Sequence, residues 1–228
     1  MDVDHDTVSG HVEPSIKAVM FDLDGTLLDS FPVHYAAHKT MFERFGIELS
    51  KELFLRSYSP NWYRTYEAFG LAAEHWEAAN AIWLEAAAEH SPELFPGVLE
   101  MLAALSKSFA LGLVTSGSKT RVTSDMHRLE ISSHFATVVT GDDVREPKPS
   151  PEGLEIALNE LSISPNEAIY VGDAHADFEM ATAAGVKFFG VPSEFANLTH
   201  GHPKYDIHRI DDLVDVIGRL HKVDGNKS

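Results

Sequence analysis

The sequence predicts an α/β protein in which a Rossmann-like, doubly wound parallel sheet carries an inserted, all-helical domain. Two observations predict this fold class. Short apolar segments alternate with helix-like segments in the later part of the chain, and such alternation is typical of parallel βαβ units. The interval from Ser30 to about Phe95 breaks that rhythm, since it has helical patterns and no convincing strand. We therefore expect a sheet domain that is interrupted once by a helical domain.

The predicted domain boundaries follow from where the rhythm starts, breaks and resumes. The sheet domain is expected at residues 14–29 and 96–222, and the helical domain at residues 30–95. Residues 1–13 and 223–228 are polar, and we expect them to be disordered tails. Residues 1–13 also lack the basic and apolar regions of a secretory signal. The absence of cysteine is consistent with a reducing compartment, and we expect a cytoplasmic protein.

Five apolar segments are expected to form the sheet. The first, Ile16–Phe21, is short and largely apolar, as expected of a strand that is buried on both faces. The other four follow in chain order: Ala110–Val114, Ala136–Val139, Ala168–Val171 and Val186–Val191.

The helices of the sheet domain are predicted around the later strands. They are expected at Pro96–Ser106, Ser118–Leu129, Ser150–Leu161 and Ala176–Ala184. Helical spacing predicts one buried face in the first of them, formed by Val98, Leu99, Leu102 and Leu105.

The helical domain is predicted from a stripe of small and aromatic residues. Alternating steps of four and three place them on one side of a helix: Ala72, Trp76, Ala79, Trp83 and Ala86. We expect this face to fill the core of a small helical bundle.

The composition excludes several classes of function. With 35 acidic and 18 basic residues, the formal net charge is -17, which would repel nucleic acid and anionic membranes. The absence of cysteine excludes disulfides, zinc-thiolate sites and cysteine nucleophiles. No apolar run reaches the roughly 20 residues that cross a bilayer. An enzyme for a phosphorylated substrate would need a metal ion and nearby cations that cancel this negative charge locally. Adaptation to high salt is an alternative explanation of the acidic composition.

The first chemical signal comes directly after the first predicted strand. Asp22 and Asp24 stand one residue apart, and Gly25 and Thr26 follow them. Ligand sites of open parallel sheets lie at the carboxyl ends of the strands, and a hard cation such as Mg²⁺ relieves the repulsion between two carboxylates. An EF-hand is not indicated, because Val33 occupies its twelfth position.

Three later strands are also followed by polar residues. Thr115 and Ser116 stand at a strand-to-helix turn, where N–H groups can bind a phosphate oxygen. Lys148 lies between two prolines, which fix its approach to a helix. Asp173 ends another strand, and Asp177 comes one helical turn later, within reach of the same space.

In this order, the motifs identify a family. The chain resembles the haloacid dehalogenase superfamily, in the branch with a helical cap inserted between the first and second motifs. That branch includes phosphoglycolate phosphatase-like enzymes and β-phosphoglucomutase. The resemblance covers about Ile16 to Leu220 and implies a Rossmann-like core with a mobile cap that closes over the site.

The resemblance implies covalent phosphoryl transfer. Asp22 would be the nucleophile that forms an aspartyl-phosphate. Asp24 would protonate the leaving alkoxide and then deprotonate the attacking water. Mg²⁺ would bind the Asp22 carboxylate, the Asp24 backbone carbonyl and Asp173.

The remaining motif residues would bind the phosphoryl group. Thr115 would hold one phosphoryl oxygen, and Ser116 would supply a backbone N–H. Lys148 would pair with the phosphoryl group and with Asp22. Asp177 would orient Lys148 or a metal-bound water.

The expected function is therefore Mg²⁺-dependent hydrolysis of a small phosphate monoester, of the phosphoglycolate or sugar phosphate type. The expected partner is a small phosphorylated metabolite. The sequence leaves open which ester this is, which cap residues select it, and whether the protein is a monomer or a homodimer. Asp24 argues against a dehalogenase, whose first motif lacks it. A β-phosphoglucomutase-like mutase stays open because of His34, although Gly172 stands where that enzyme has glutamate. A non-catalytic homologue that binds a phosphorylated ligand or a partner protein is the other alternative.

Overall fold

The computed structural model describes residues 15–58, 62–194, 207 and 209–218. The predicted tails at 1–13 and 223–228 lie outside the described residues. Within those ranges the strands, in chain order, are β1 (Ala18–Phe21), β2 (Leu28–Asp29), β3 (Glu93–Leu94), β4 (Ala110–Val114), β5 (Thr137–Val139), β6 (Ala168–Gly172) and β7 (Lys187–Gly190).

The helices follow the same order. They are α1 (Phe31–Arg44), α2 (Lys51–Ser57), α3 (Trp62–Ala68), α4 (Trp76–Ala88), α5 (Val98–Leu105), α6 (Lys119–Arg128), α7 (Glu152–Leu161) and α8 (His175–Ala183). Residues 213–218 are also helical. None of the helices in the described ranges is long and apolar enough to cross a membrane.

The main sheet has five parallel strands in the order β5-β4-β1-β6-β7. Strand β1 lies at its centre, where Met20 is aligned with Gly112 of β4 and with Tyr170 of β6. The chain moves from β1 outward on one side and then returns to build the other. Helices cover both faces, and the predicted α/β, Rossmann-like fold class is confirmed.

Burial on both faces explains why the strands are nearly continuous apolar runs. Val19 and Phe21 of β1 pack into one core, together with α5 residues such as Leu102. Ala18 and Met20 point the other way, into a second core. All five predicted strands form, although Ile16 and Lys17 precede the first of them.

The predicted buried face of α5 is partly wrong. Leu99 is 45% exposed, whereas Met101 is buried beside Val98, Leu102 and Leu105. The buried positions are spaced by three and four residues, which keeps them on one side of the helix. Leu99 lies about 100° away from Val98 and therefore faces outward.

Residues 31–88, here called the helical insertion, contain α1 to α4 and a hydrophobic cluster of their own. Helices α1 and α4 pack against each other, and the predicted stripe is buried at Ala79, Trp83 and Ala86. Trp76 is half-buried, and Ala72 is exposed, because a short 3₁₀ turn precedes α4 and ends the helical spacing. The division of the chain into domains at residues 30 and 95 stays a prediction.

A two-stranded antiparallel ribbon joins the helical insertion to the sheet. In it, Leu28 is aligned with Leu94, and Asp29 with Glu93. The backbone N–H of Phe95 donates to the Leu27 carbonyl over 2.9 Å. The expectation of no strand between residues 30 and 95 was thus wrong, since a two-residue strand is too short to carry an alternating pattern.

Candidate active site

The loop after β1 carries Asp22 to the carboxyl edge of the sheet. The Asp22 N–H donates to the Val171 carbonyl at 2.9 Å, which continues the pairing of β1 with β6 by one residue. Gly25 then turns the backbone with φ +80°. A Cβ at this position would collide with the Asp173 carboxylate. Gly25 is therefore required both by its conformation and by the closeness of Asp173.

Lys148 links two carboxylates across this edge. Its Nζ lies 2.6 Å from Asp22 Oδ1, 2.7 Å from Asp177 Oδ1 and 2.8 Å from the Tyr170 hydroxyl oxygen. All of these side chains are at least nine-tenths buried. The Ala174 N–H donates to Asp177 Oδ2 at 3.0 Å, which fixes that carboxylate at the start of α8. The sequence-predicted Asp22, Lys148 and Asp177 are thus brought into direct contact.

Asp173 completes a group of three buried carboxylates. The Thr26 hydroxyl lies 3.4 Å from its Oδ1, and the Ser193 hydroxyl donates to Oδ2. One oxygen each from Asp22, Asp173 and Asp177 lie within 4.8 Å of one another. Oxygen ligands at this spacing are those that a hard divalent cation prefers.

The electrostatics of the cluster also favour a cation. Burial raises the pKa of Asp22 to about 7, against the opposing effect of Lys148. Burial, together with the charges of Asp177 and Asp22, raises the pKa of Asp173 well above its usual range. Although burial favours a neutral amine, Asp177 and Asp22 raise the pKa of Lys148 and keep it an ammonium. Three carboxylates share one ammonium, so the residues fit a divalent metal.

Thr115 and Ser116 follow β4, on the other side of β1. The Thr115 N–H donates to the Val139 carbonyl at 3.0 Å, and its hydroxyl accepts from the Gly117 N–H at 3.2 Å. Thr115, Ser116 and Lys148 border one small cavity. The structure therefore gathers the predicted phosphate-binding residues at the edge that carries Asp22.

Asp24 has a partner that the sequence did not reveal. Nη1 of Arg121 lies 3.1 Å from Asp24 Oδ1, and Nη2 binds Asp24 Oδ2. Nη1 also lies 3.2 Å from Asp125 Oδ2, one helical turn along α6. Although burial favours a protonated carboxyl, Arg121 holds the pKa of Asp24 far below its usual range. Asp24 is thus an ionised carboxylate in a two-pronged ion pair.

The helical insertion reaches this pair through α1. His34 Nε2 lies 3.7 Å from Asp24 Oδ1, and His34 Nδ1 lies 3.1 Å from the Tyr58 hydroxyl oxygen. The imidazole and the Trp83 ring pack edge to face, with centroids 5.4 Å apart. The insertion therefore contributes side chains to the side of the site on which Asp24 lies.

Comparison with known proteins assigns this site to a family. Residues 19–191 match the family model described as haloacid dehalogenase-like hydrolase. The chain belongs to the haloacid dehalogenase-like hydrolases. The family expected from the motifs, and the expectation of an enzyme that hydrolyses its substrate, are both confirmed.

Individual relatives in this hydrolase family carry different names. Pyrophosphatase PpaX of Bacillus velezensis is 32% identical over 211 residues, which cover 89% of this chain and 97% of the relative. Phosphoglycolate phosphatase 1 of Pseudomonas aeruginosa is 31% identical over 199 residues, 82% of this chain and 72% of the relative. A crystal structure of a haloacid dehalogenase-superfamily hydrolase from Geobacter sulfurreducens is 28% identical, with a TM-score of 0.65 and coverage of 89% and 97%.

The fourth motif of this hydrolase has no room for a side chain before Asp173. A Cβ at Gly172 would lie 2.5 Å from Asp177 Oδ2 and 2.6 Å from its Cγ. The adjacent Glu-Asp pair of β-phosphoglucomutase therefore cannot replace Gly172 and Asp173 while Asp177 keeps its place. Glycine is therefore the residue that fits here while Asp177 keeps its contact with Lys148.

Four residues of the hydrolase site were missed from the sequence: Tyr58, Arg121, Tyr170 and Ser193. Arg121 could have been found, because it precedes Asp125 by one helical turn just after the second motif. Tyr170 and Ser193 lie in an apolar strand and in a loop, and no spacing distinguishes them there.

Proposed function

We propose that this hydrolase cleaves a small phosphate monoester through an aspartyl-phosphate on Asp22. The observation that carries the proposal is the position of Asp22, at the end of the central strand and 2.6 Å from Lys148 Nζ. The ammonium favours the ionised form of Asp22, and only that form is a nucleophile. Mg²⁺ bound at the carboxylate cluster would further favour the ionised form of Asp22.

In the first half of the proposed reaction, Asp22 attacks phosphorus. A new bond forms between an Asp22 oxygen and phosphorus, and the bond from phosphorus to the ester oxygen breaks. Thr115, Ser116 and Lys148 would hold the transferring oxygens, since they border one cavity at this edge. Asp177, which contacts Lys148, would keep that ammonium in place.

Asp24 is proposed to move the proton. It would donate a proton to the leaving alkoxide, then accept one from the water that attacks the aspartyl-phosphate and releases phosphate. This residue is ionised beside Arg121 in the structure. Asp24 can therefore act as an acid only after it separates from the guanidinium and takes up a proton from solvent.

Mg²⁺ is the cation that we propose for the carboxylate cluster. The Asp22 carboxylate, Asp173 and the backbone carbonyl of Asp24 would hold it, while Asp177 stays with Lys148. When bound, Mg²⁺ would neutralise charge on the transferring phosphoryl oxygens. All of these ligands are oxygens, which suits Mg²⁺ rather than a softer metal.

The substrate is proposed to be a small phosphorylated metabolite. Two relatives are named for pyrophosphate and phosphoglycolate, and both compounds are small anions. Phosphoglycolate and sugar phosphates are therefore the first esters to assay. The absence of cysteine is consistent with work in the reducing cytoplasm.

Asp22→Asn tests the proposal. The neutral amide cannot attack phosphorus, so we expect phosphate release from p-nitrophenyl phosphate to fall by about 10³-fold or more. Trapping with acid should show radioactive phosphate on the wild-type protein and none on the variant. The melting temperature should not fall, because the amide removes a buried charge.

Asp29→Asn is the matched control, since Asp29 is an exposed carboxylate in β2. It should keep wild-type turnover. An Asp22→Asn variant that retains more than a few per cent of the rate would exclude the covalent route.

A further inference from the structure

The guanidinium of Arg121 binds the carboxylate of Asp24, a side chain that has to move away from it in the proposed reaction. Both Nη atoms of Arg121 face the carboxylate of Asp24. A planar guanidinium binds a carboxylate or a phosphate in this two-pronged geometry. Because both carboxylate oxygens of Asp24 bind Arg121, Asp24 has to separate from the guanidinium to reach the ester oxygen in the proposed reaction, and the fork then becomes available to another anion of the same shape.

The other contacts of Arg121 hold it in place when Asp24 leaves. Asp125 stays on the same helix, 3.2 Å from Nη1. The guanidinium also occupies the space in front of Gly117, where a Cβ would collide with Nη2. Gly117 follows Ser116 directly, so the guanidinium lies against the turn that carries the proposed phosphate-binding residues.

The position of Arg121 relative to the reaction is set by Asp24. Asp24 is the proposed proton donor to the leaving group, so a guanidinium bound to Asp24 lies next to the leaving group. Lys148 is engaged with Asp22 and Asp177, on the side of the transferring phosphoryl group. The site therefore has one cation for each end of a substrate with two anionic groups.

We propose that Arg121 is a specificity-determining residue that binds a second anionic group, a carboxylate or phosphate, on the leaving group of the substrate. The substrate anion takes the place of the Asp24 carboxylate in the fork, and Asp24 is released toward the ester oxygen. This exchange leaves the number of anions on Arg121 unchanged, so the guanidinium is not left unpaired. The released Asp24 takes up a proton from solvent, which it then donates to the leaving group. The inference rests on the proposed phosphatase function and narrows its substrate class.

Matched pairs of esters test the inference. One pair is 2-phosphoglycolate and its carboxamide, which differ only in the charge of the leaving group; the other is the homologous pair with one more methylene. For at least one pair, the wild-type protein should prefer the carboxylate by about 10- to 100-fold in kcat/KM. In Arg121→Gln the ratio of kcat/KM for the carboxylate to kcat/KM for the carboxamide should fall to within about threefold of one, mainly because the KM for the carboxylate rises. Arg121→Lys should keep part of it, because it keeps the charge and loses the fork.

Arg128→Gln is the control variant. Arg128 also contacts Asp125, at 3.5 Å, but its other contacts are Glu93 and Pro92. It should keep the wild-type preference for the carboxylate. A preference that is lost in Arg121→Gln and kept in Arg128→Gln therefore reflects loss of recognition rather than a general disturbance of α6.

Three results would overturn the inference alone. They are equal wild-type rates on both members of both pairs, an unchanged preference in Arg121→Gln, and the same loss of preference in Arg128→Gln. If the wild-type protein with Mg²⁺ released no phosphate from these esters or from p-nitrophenyl phosphate, the proposed function would fail and the inference with it.

Discussion

At the residue scale, Gly172 shows how closely the fourth motif is packed. The nearest atoms to a Cβ at this position would be Oδ2, Cγ and Cβ of Asp177, at 2.5 to 2.7 Å. Asp177 cannot yield freely, because its other oxygen contacts Lys148 and it accepts a hydrogen bond from the backbone of Ala174. We therefore expect a single methyl group here to displace Asp177 and disturb its contact with Lys148.

We predict that Gly172→Ala destabilises the protein by about 1–3 kcal/mol, the usual effect of overpacking a buried position. It should also lower turnover, because Asp177 is pushed away from its contact with Lys148. Chemical unfolding and phosphate release measure the two effects. Gly218→Ala is the control, since nothing lies within 4 Å of a Cβ at that position. Equal stability of the two variants would contradict the packing argument.

The residues that the sequence revealed are those with a local signature. Asp22 and Asp173 each follow an apolar strand directly, Asp24 comes two residues after Asp22, and Lys148 stands between two prolines. Their shared position at one edge of the sheet follows from the parallel topology. The spacing of Arg121 and Asp125 indicates an ion pair on α6, but the contact of Arg121 with Asp24 is not visible in the sequence, because only the assembled sheet brings these two residues together.

At the scale of elements, the helical insertion is joined to the sheet through the ribbon of β2 and β3. The ends of the insertion are adjacent, because Asp29 is aligned with Glu93. Its hydrophobic cluster is formed by its own residues, such as Phe42, Phe54 and Trp83. This arrangement is suited to motion of the insertion as a unit about its two chain connections.

We predict that the insertion can be removed and that the sheet domain still folds. A two-residue Asn-Gly turn from Asp29 to Glu93 would replace residues 30–92, as in a tight hairpin. The shortened protein should cleave p-nitrophenyl phosphate slowly, since Asp22 and Lys148 remain. It should lose the part of its preference among natural esters that the insertion supplies, because it lacks the side of the site that carries His34, and it should keep the part proposed for Arg121.

Circular dichroism would establish folding of the shortened protein, and kcat/KM over a panel of esters would measure selectivity. Asp22→Asn in the shortened chain is the control for contaminating phosphatases. A folded, shortened protein that selects its best ester as strongly as the intact one would contradict this division of labour.

Sequence patterns predicted long elements better than short ones. The five core strands and the helices around them follow from apolar runs and helical spacing, with ends that differ by one or two residues. The β2–β3 ribbon was missed, because its stability comes from pairing between residues far apart in sequence. Ala72 was wrongly included in the stripe of α4, since a 3₁₀ turn interrupts the helical geometry at residues 73–75.

At the scale of the whole molecule, negative charge dominates. The formal net charge of -17 weakens the compact state through self-repulsion, and the buried carboxylates concentrate that repulsion at one edge of the sheet. A divalent cation that binds the native cluster should therefore stabilise the fold as well as support turnover.

We predict that Mg²⁺ raises the melting temperature by several degrees at concentrations about 100-fold above its dissociation constant, which corresponds to about 2.7 kcal/mol. Activity should vanish with EDTA and return with Mg²⁺. Sodium chloride at equal ionic strength is the control, because screening alone also relieves repulsion. Asp173→Asn should keep the effect of sodium chloride and lose the additional effect of Mg²⁺. An equal Mg²⁺ effect in Asp173→Asn would argue against the cluster as the metal site.

The central place of β1 has a consequence for how the protein is made. On the ribosome, β1 emerges first, yet its neighbours are β4 and β6, and Ala18 is aligned with Ala110 and Ala168. The helical insertion is complete once residue 88 has been synthesised, so it can fold while β1 is still without partners. The strand that precedes the proposed nucleophile, Asp22, becomes enclosed only when β6 arrives. If the proposed roles of Asp22 and Asp173 are correct, we expect no activity from the nascent chain until β6 has left the exit tunnel.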